Sequence, residues 1–132
     1  KKRLLIMSQT KEQKLVYACS RGYLEDCKSV LGTKPNLDYK DGLGNTALHY
    51  AAGAGHISIV KALLKEGAKP MIKNKQGNTS LHQAVFRGNL SIAKCLIAAG
   101  ATETENKAGH YPSEWANTPE LKKIFPERPG GD

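Results

Sequence analysis

The chain has 132 residues, of which 39% are hydrophobic, 24% charged and 6% aromatic, a composition typical of one soluble globular domain. No apolar run approaches the roughly 20 residues that a membrane helix needs, and the length disfavours two separate domains. The 20 Lys and Arg residues exceed the 12 Asp and Glu residues and give a formal net charge of +8, which favours acidic partners without defining their class.

The two ends of the chain differ in composition from the rest. Residues 1–10 contain the basic run Lys1–Arg3 and the apolar run Leu4–Met7, which we interpret as a basic and apolar N-terminal tail. A short address signal and a helix that pairs with another segment are the alternatives. Residues 126–132 are predicted to form a disordered C-terminal tail, so that the folded domain spans residues 11–125.

The region between the tails repeats with a period of 33 residues. Residues 41–73, placed over residues 74–106 without a gap, match at 13 of 33 positions. Weaker copies precede and follow this pair, the last one after the deletion of one residue near Lys107. Periods of this length are typical of stacked helical units. We therefore predict about four units, two regular ones in the centre and two atypical ones outside, at residues 8–40, 41–73, 74–105 and 106–125.

Each central unit has the pattern of a helical hairpin. Thr46 and Thr79 precede a short apolar stretch, where the hydroxyl can accept a hydrogen bond from an amide of the first helical turn. Gly55 and Gly88 are placed to end this helix, because glycine accepts the left-handed conformation of a helix cap. A second amphipathic helix follows, with apolar residues at spacings of three and four. A single hairpin could not bury its apolar face, so the units are predicted to stack.

The two central units share a motif that is known from other proteins. Gly44–Ala52 has the sequence GNTALHYAA, Gly77–Ala84 has the sequence GNTSLHQA, and in both units the second helix is followed by Gly-Ala. This motif resembles the ankyrin repeat. The resemblance implies an all-α solenoid of about four helix-turn-helix units with β-hairpin fingers, whose usual work is to hold another protein. It also implies a structural hydrogen-bonding role for four residues: Thr46, His49, Thr79 and His82.

The outer units depart from the motif in ways that suit the ends of a stack. Asp26 occupies the position of Ile59, which places a carboxylate where an interior unit packs an aliphatic side chain. Tyr111 replaces the capping Thr, and Glu114 replaces the His. Both outer units are therefore predicted to be caps.

No motif for catalysis, a metal ion or a cofactor is found, and we expect none of the three. His49 and His82 recur at one place of the period, with no Cys or His at ligand spacing beside them. The odd number of cysteines favours reduced thiols and a cytoplasmic or nuclear location. Cys19, Cys27 and Cys95 are expected to be buried as small hydrophobic residues.

A binding surface is predicted on the concave side of the solenoid. In the ankyrin arrangement this side is formed by the fingers and by exposed residues of the first helix of each unit. The residues at these places include six cations and no acid, with aromatic and apolar side chains between them. We predict a basic groove that binds an acidic segment of another protein, in a chain that is a monomer in isolation. The candidate residues are Arg21, Lys40, Leu43, Asn45, Tyr50, Lys73, Lys75, Gln76, Asn78, Phe86, Arg87, Lys107, His110 and Trp115.

Three other interpretations stay open. The lysines could serve solubility alone, with the aromatic residues packed between units. Nucleic-acid binding is suggested by the net charge, but the sequence lacks the alternation of aromatic and basic residues found in single-strand binders. The chain could also be an inert spacer within a longer protein.

Overall fold

The computed structural model describes residues 9–126, and this part of the chain is all-α, as predicted. It holds seven α-helices and one 3-10 helix and no β-strand. The predicted tails therefore lie largely outside the described residues. Thr10, which the prediction placed in the N-terminal tail, instead caps the first helix through its hydroxyl. In chain order the elements are α1 (Lys11–Arg21), α2 (Leu24–Leu31), α3 (Ala47–Ala54), α4 (Ile57–Lys65), α5 (Ser80–Phe86), α6 (Leu90–Ala98), the 3-10 helix (Pro112–Trp115) and α7 (Pro119–Lys123).

The first helix of each central unit begins at a reciprocal Thr-His cap. The hydroxyl of Thr46 accepts from the amide of His49 at 3.3 Å, and the Nδ1 atom of His49 accepts from the amide of Thr46 at 3.1 Å. Thr79 and His82 repeat these bonds at 3.4 and 3.1 Å. Two amides of the first turn that the helix cannot pair internally are thereby satisfied. The helix α3 ends at Gly55, whose φ of 84° is left-handed.

The helices stack in two layers in the order of the sequence. In the first layer α1 packs on α3, α3 on α5 and α5 on the 3-10 helix, and in the second α2 packs on α4 and α4 on α6. Four leucines at equivalent positions of the period are at most 2% exposed and fill the space between units. Residues that are 33 apart in the sequence therefore occupy equivalent places in successive stacked hairpins. These leucines are Leu48, Leu63, Leu81 and Leu96.

The fingers between the units are tight turns, and the expected β-hairpins are absent from residues 9–126. The amide of Asp41 donates to the carbonyl of Asn45 at 3.0 Å, which closes a five-residue turn. Neighbouring fingers share a single backbone hydrogen bond in each of the two pairs, such as Lys75 N–H to Leu43 C=O at 3.2 Å. The chain enters the next helix directly after the turn, so there is no room for a strand ladder.

The end units are less regular than the central ones. The last unit has only the four-residue 3-10 helix and the five-residue α7, so the count of four units stays a prediction. In the first unit Asp26 is exposed, as expected of a cap, and the buried sulfurs of Cys19 and Cys27 lie 3.4 Å apart. The expected burial of Cys95 was wrong. This residue is only half-buried, like its equivalent Ala62, and both pack against the core without being enclosed by it.

Within residues 9–126 no helix is long and apolar enough to cross a membrane.

Candidate functional site

A depression of about 240 Å³ lies where the first helices of three units end, and we call it the central depression. Three residues predicted to bind a partner, Asn45, Tyr50 and Arg87, line it together. Gly53 and Ala54, at the end of α3, form part of the same lining. One surface thus joins three consecutive units. The complete lining is Ser20, Asn45, His49, Tyr50, Gly53, Ala54, Gln83 and Arg87.

The depression exists because the middle unit carries small residues at the end of its first helix. Gly53 and Ala54 occupy the positions that Phe86 and Arg87 occupy one period later. The Cβ atom of Gln83 lies 3.7 Å from where a Cβ on Gly53 would stand, so the neighbouring helix approaches closely there. The small side chains of Gly53 and Ala54, followed one period later by the large side chains of Phe86 and Arg87, leave the central depression beside the larger side chains.

A group of aromatic side chains lies next to Arg87. Phe86 is 64% exposed, and its ring packs edge-on against Trp115 with the ring centroids 5.6 Å apart. Trp115 is half-buried and also contacts the rings of His82 at 5.3 Å and His110 at 6.1 Å. We call Phe86, Trp115 and His110 the aromatic corner. It adjoins the central depression because Phe86 directly precedes Arg87 in the chain.

The six predicted cations differ in their contacts. Lys40 Nζ donates to the carbonyl of Lys73 at 2.9 Å, and Lys73 Nζ donates to the carbonyl of Glu105 at 3.0 Å. These two lysines therefore hold neighbouring fingers together. The Arg21 guanidinium carbon lies 5.2 Å from the centre of the Tyr17 ring, a cation–π contact that fixes its direction.

The remaining three cations, Lys75, Arg87 and Lys107, are exposed. In the described part of the chain none of them forms an ion pair with an acid. Their charges are therefore available to a partner.

The expectation that this side carries no acid was wrong. The Oδ1 atom of Asp41 accepts from the amides of Leu43 and Asn45, each at 3.0 Å, and its Oδ2 atom accepts from the hydroxyl of Tyr50. Burial raises the pKa of Tyr50 above its ordinary value, which keeps the phenol a donor. The sequence did contain a signal, because Asp41 stands at the place of Asn74 in the next finger. The first finger is therefore less positive than the second.

Two predicted partner-binding residues lie inside the protein. Asn45 and Asn78 are each 8% exposed. The side-chain amide of Asn74 donates to Asn45 Oδ1 at 2.9 Å, and that of Asn106 donates to Asn78 Oδ1 at 2.8 Å. These bonds connect neighbouring fingers, so both side chains are committed within the fold, although Asn45 also forms part of the lining of the central depression. The finger-tip residues Leu43 and Gln76 are exposed, as the period placed them.

The buried histidines also connect neighbouring units. The Nε2 atom of His49 lies 2.9 Å from the carbonyl of Asn78, and that of His82 lies 2.9 Å from the carbonyl of His110. Since a carbonyl can only accept, the proton is on Nε2 and Nδ1 is free to accept from the Thr amide. Both rings are thus committed within the fold. Among residues 9–126 no three His, Cys, Asp or Glu side chains are grouped so that they could hold a metal ion.

Comparison with known proteins gives one family match. A family model described as ankyrin repeats, in three copies, matches residues 15–107. This match confirms the resemblance carried by the two central motifs and extends it into the first unit. No curated protein matches the chain.

Proposed function

We propose, from the premise that this chain belongs to the ankyrin-repeat family, that it is a non-enzymatic adaptor that binds an acidic segment of another protein. Ankyrin repeats are generally protein–protein interaction modules. The proposed binding surface is the central depression together with the exposed finger tips beside it, and we call this the basic groove. Its finger-tip members are Leu43, Lys75, Gln76 and Lys107.

The observation that supports the proposal is Arg87 at the wall of the depression. Its guanidinium is exposed and has no acidic partner among the described residues. A guanidinium presents a planar set of donors that matches a carboxylate and forms strong, paired hydrogen bonds with it. Lys75 and Lys107 add point charges on the fingers before and after α5. A chain of net charge +8 also attracts an acidic segment from a distance.

The size of the depression favours a protein partner over a small molecule. Pockets for metabolites and drugs commonly enclose roughly 300–1,000 Å³, whereas the central depression measures about 240 Å³. It can hold one side chain of an extended segment, with the rest of that segment lying across the finger tips. In an interface of this kind a few anchor residues supply most of the binding free energy, and most other contacts contribute little to it.

Charge reversal in the groove tests the proposal. We expect Arg87→Glu with Lys75→Glu to weaken binding of a labelled twelve-residue Glu/Asp peptide at least tenfold, because each substitution replaces attraction by repulsion. The salt dependence of the remaining binding should also become shallower. Fluorescence anisotropy at two salt concentrations measures both effects.

A matched control separates the groove from net charge. Lys61→Glu with Lys94→Glu changes the charge by the same amount at two exposed, equivalent positions of α4 and α6. We expect this variant to keep most of the affinity. Equal losses in both variants would contradict a specific groove. Tight, salt-sensitive binding of mixed-sequence RNA at about 150 mM salt, without binding of the acidic peptide, would favour a nucleic-acid partner instead.

A further inference from the structure

We infer that the partner segment carries a large apolar side chain next to its acidic residue. The acid enters the central depression beside Arg87, and the apolar side chain lies against Phe86 and Trp115 of the aromatic corner. This inference rests on the proposed function and adds an apolar side chain to the acidic residue that the partner segment presents. It follows from the shape of the corner, from what holds it in place and from the donors that remain in the depression.

Phe86 is a bulky apolar residue at a place where the period has small ones. The equivalent residues of the two preceding units are Ser20 and Gly53, and nothing in the helix pattern requires an aromatic residue there. Its ring is 64% exposed although it touches Trp115. Further burial of this ring is most favourable under an apolar side chain, because a polar covering group would lose its own hydration.

The aromatic corner rests on a rigid base. Trp115 packs against His82 at 5.3 Å, and His82 is fully buried and hydrogen-bonded at both ring nitrogens. The edge-on contact with Phe86 therefore joins an exposed ring to a fixed one. A surface that is already ordered loses little side-chain entropy on binding, which favours its use as an anchor.

The depression beside the corner retains donors for an acidic side chain. The hydroxyl of Ser20 donates to the carbonyl of Tyr17 at 2.8 Å, and the hydroxyl of Tyr50 donates to Asp41. The side chain of Asn45 is hydrogen-bonded to Tyr50. Among the described residues of the lining, the side chains of Gln83 and Arg87 then have donors without an acceptor in the fold. A carboxylate accepts from both types of group. Because Arg87 follows Phe86 directly, the acid and the apolar group of the partner must also be close neighbours.

Two peptides test this inference. Both are twelve residues of Glu and Asp, one with a central Phe and the other with Ser at that place. We expect the Phe peptide to bind about tenfold more tightly and to change the fluorescence of Trp115, which is the single Trp in the sequence. Phe86→Ser should lower the affinity for the Phe peptide about tenfold and so remove the preference between the two peptides.

Leu43→Ser tests the other exposed apolar side chain of the basic groove, since Leu43 is also 64% exposed but lies on the first finger. Any loss of affinity in this variant should be equal for the two peptides, so that the tenfold preference and the Trp115 signal are kept. Thermal unfolding of each variant establishes that the fold is intact, and Phe86→Leu, which keeps an apolar side chain, should restore part of the preference.

The outcomes separate the inference from the proposed function. Equal affinity of the wild-type protein for the two peptides overturns the inference but leaves the basic groove in place. Loss of the preference in Leu43→Ser rather than in Phe86→Ser also overturns it, because the apolar contact would then be on the first finger. If neither peptide binds, the proposed function itself fails.

Discussion

His49 and His82 each connect a helix to the finger of the following unit. Burial lowers the pKa of both imidazoles below the ordinary value of 6.5, because the charged form loses its hydration. Protonation would also place a hydrogen on Nδ1, which accepts from the Thr46 or Thr79 amide. The unfolded chain therefore binds protons more readily than the folded one below about pH 6.5. For this reason the free energy of unfolding falls as the pH is lowered through this range.

We therefore predict that the protein becomes less stable as the pH falls from about 7.5 to about 5.5. Carboxyl groups stay mostly ionised in this window, so the histidines dominate the change. Urea unfolding at the two pH values measures it. His82→Gln should reduce the pH dependence. A midpoint that is constant or rises on acidification would be inconsistent with neutral, buried imidazoles.

The sequence predicted local partners of single residues better than distant ones. The bonds between Thr46 and His49 join residues three apart, and such a spacing can be recognised in the amino-acid sequence. The bond from Asn74 to Asn45 joins residues 29 apart, and its direction depends on how two fingers meet. For this reason Asn45 and Asn78 were expected on the surface although they are buried. Asp41 was overlooked because its contact with Tyr50 depends on the turn between them.

The helix α5 lies between α3 and the 3-10 helix and carries Leu81, which is 0% exposed. Leu81→Ala is predicted to lower the free energy of unfolding by about 2–5 kcal/mol, because a cavity opens between stacked units that can close only in part. Urea denaturation followed by circular dichroism measures the change. Leu43→Ala, at a 64% exposed position, should stay within about 0.5 kcal/mol of the parent. A loss below about 1 kcal/mol for Leu81→Ala would show that this interface is loosely packed.

At the level of elements the helices were predictable and the fingers were not. Helix starts and ends are set by residues within one turn, such as Thr79 at the start of α5 and Gly55 at the end of α3. The fingers depend on contacts between units. A single backbone hydrogen bond joins each neighbouring pair, and side chains such as Lys40, which reaches the carbonyl of Lys73, complete the link. Composition alone does not distinguish such a turn from a β-hairpin.

Positive charge is spread over more than one side of the molecule. A second depression of about 260 Å³ lies between the outer helices α2 and α4 and is lined in part by Lys28, Lys34 and Lys65. Lys34 forms an ion pair with Glu66 at 3.7 Å. The net charge of the whole chain therefore cannot distinguish the basic groove from this outer depression. The 33-residue period predicted which cations share the concave side. It could not show that Lys40 and Lys73 donate to carbonyls of neighbouring fingers, whereas Arg87 is available to bind a partner.

The location of a bound acidic segment distinguishes these two sides. Amide chemical shifts of the isotope-labelled protein, recorded during titration with the Phe-containing acidic peptide, report contact residue by residue. We predict that the largest changes occur at Tyr50, Gln83 and Arg87, with a change at the indole N–H of Trp115. Changes concentrated at Lys28, Lys34 and Lys65 would place the partner on the outer helices and contradict recognition through the basic groove.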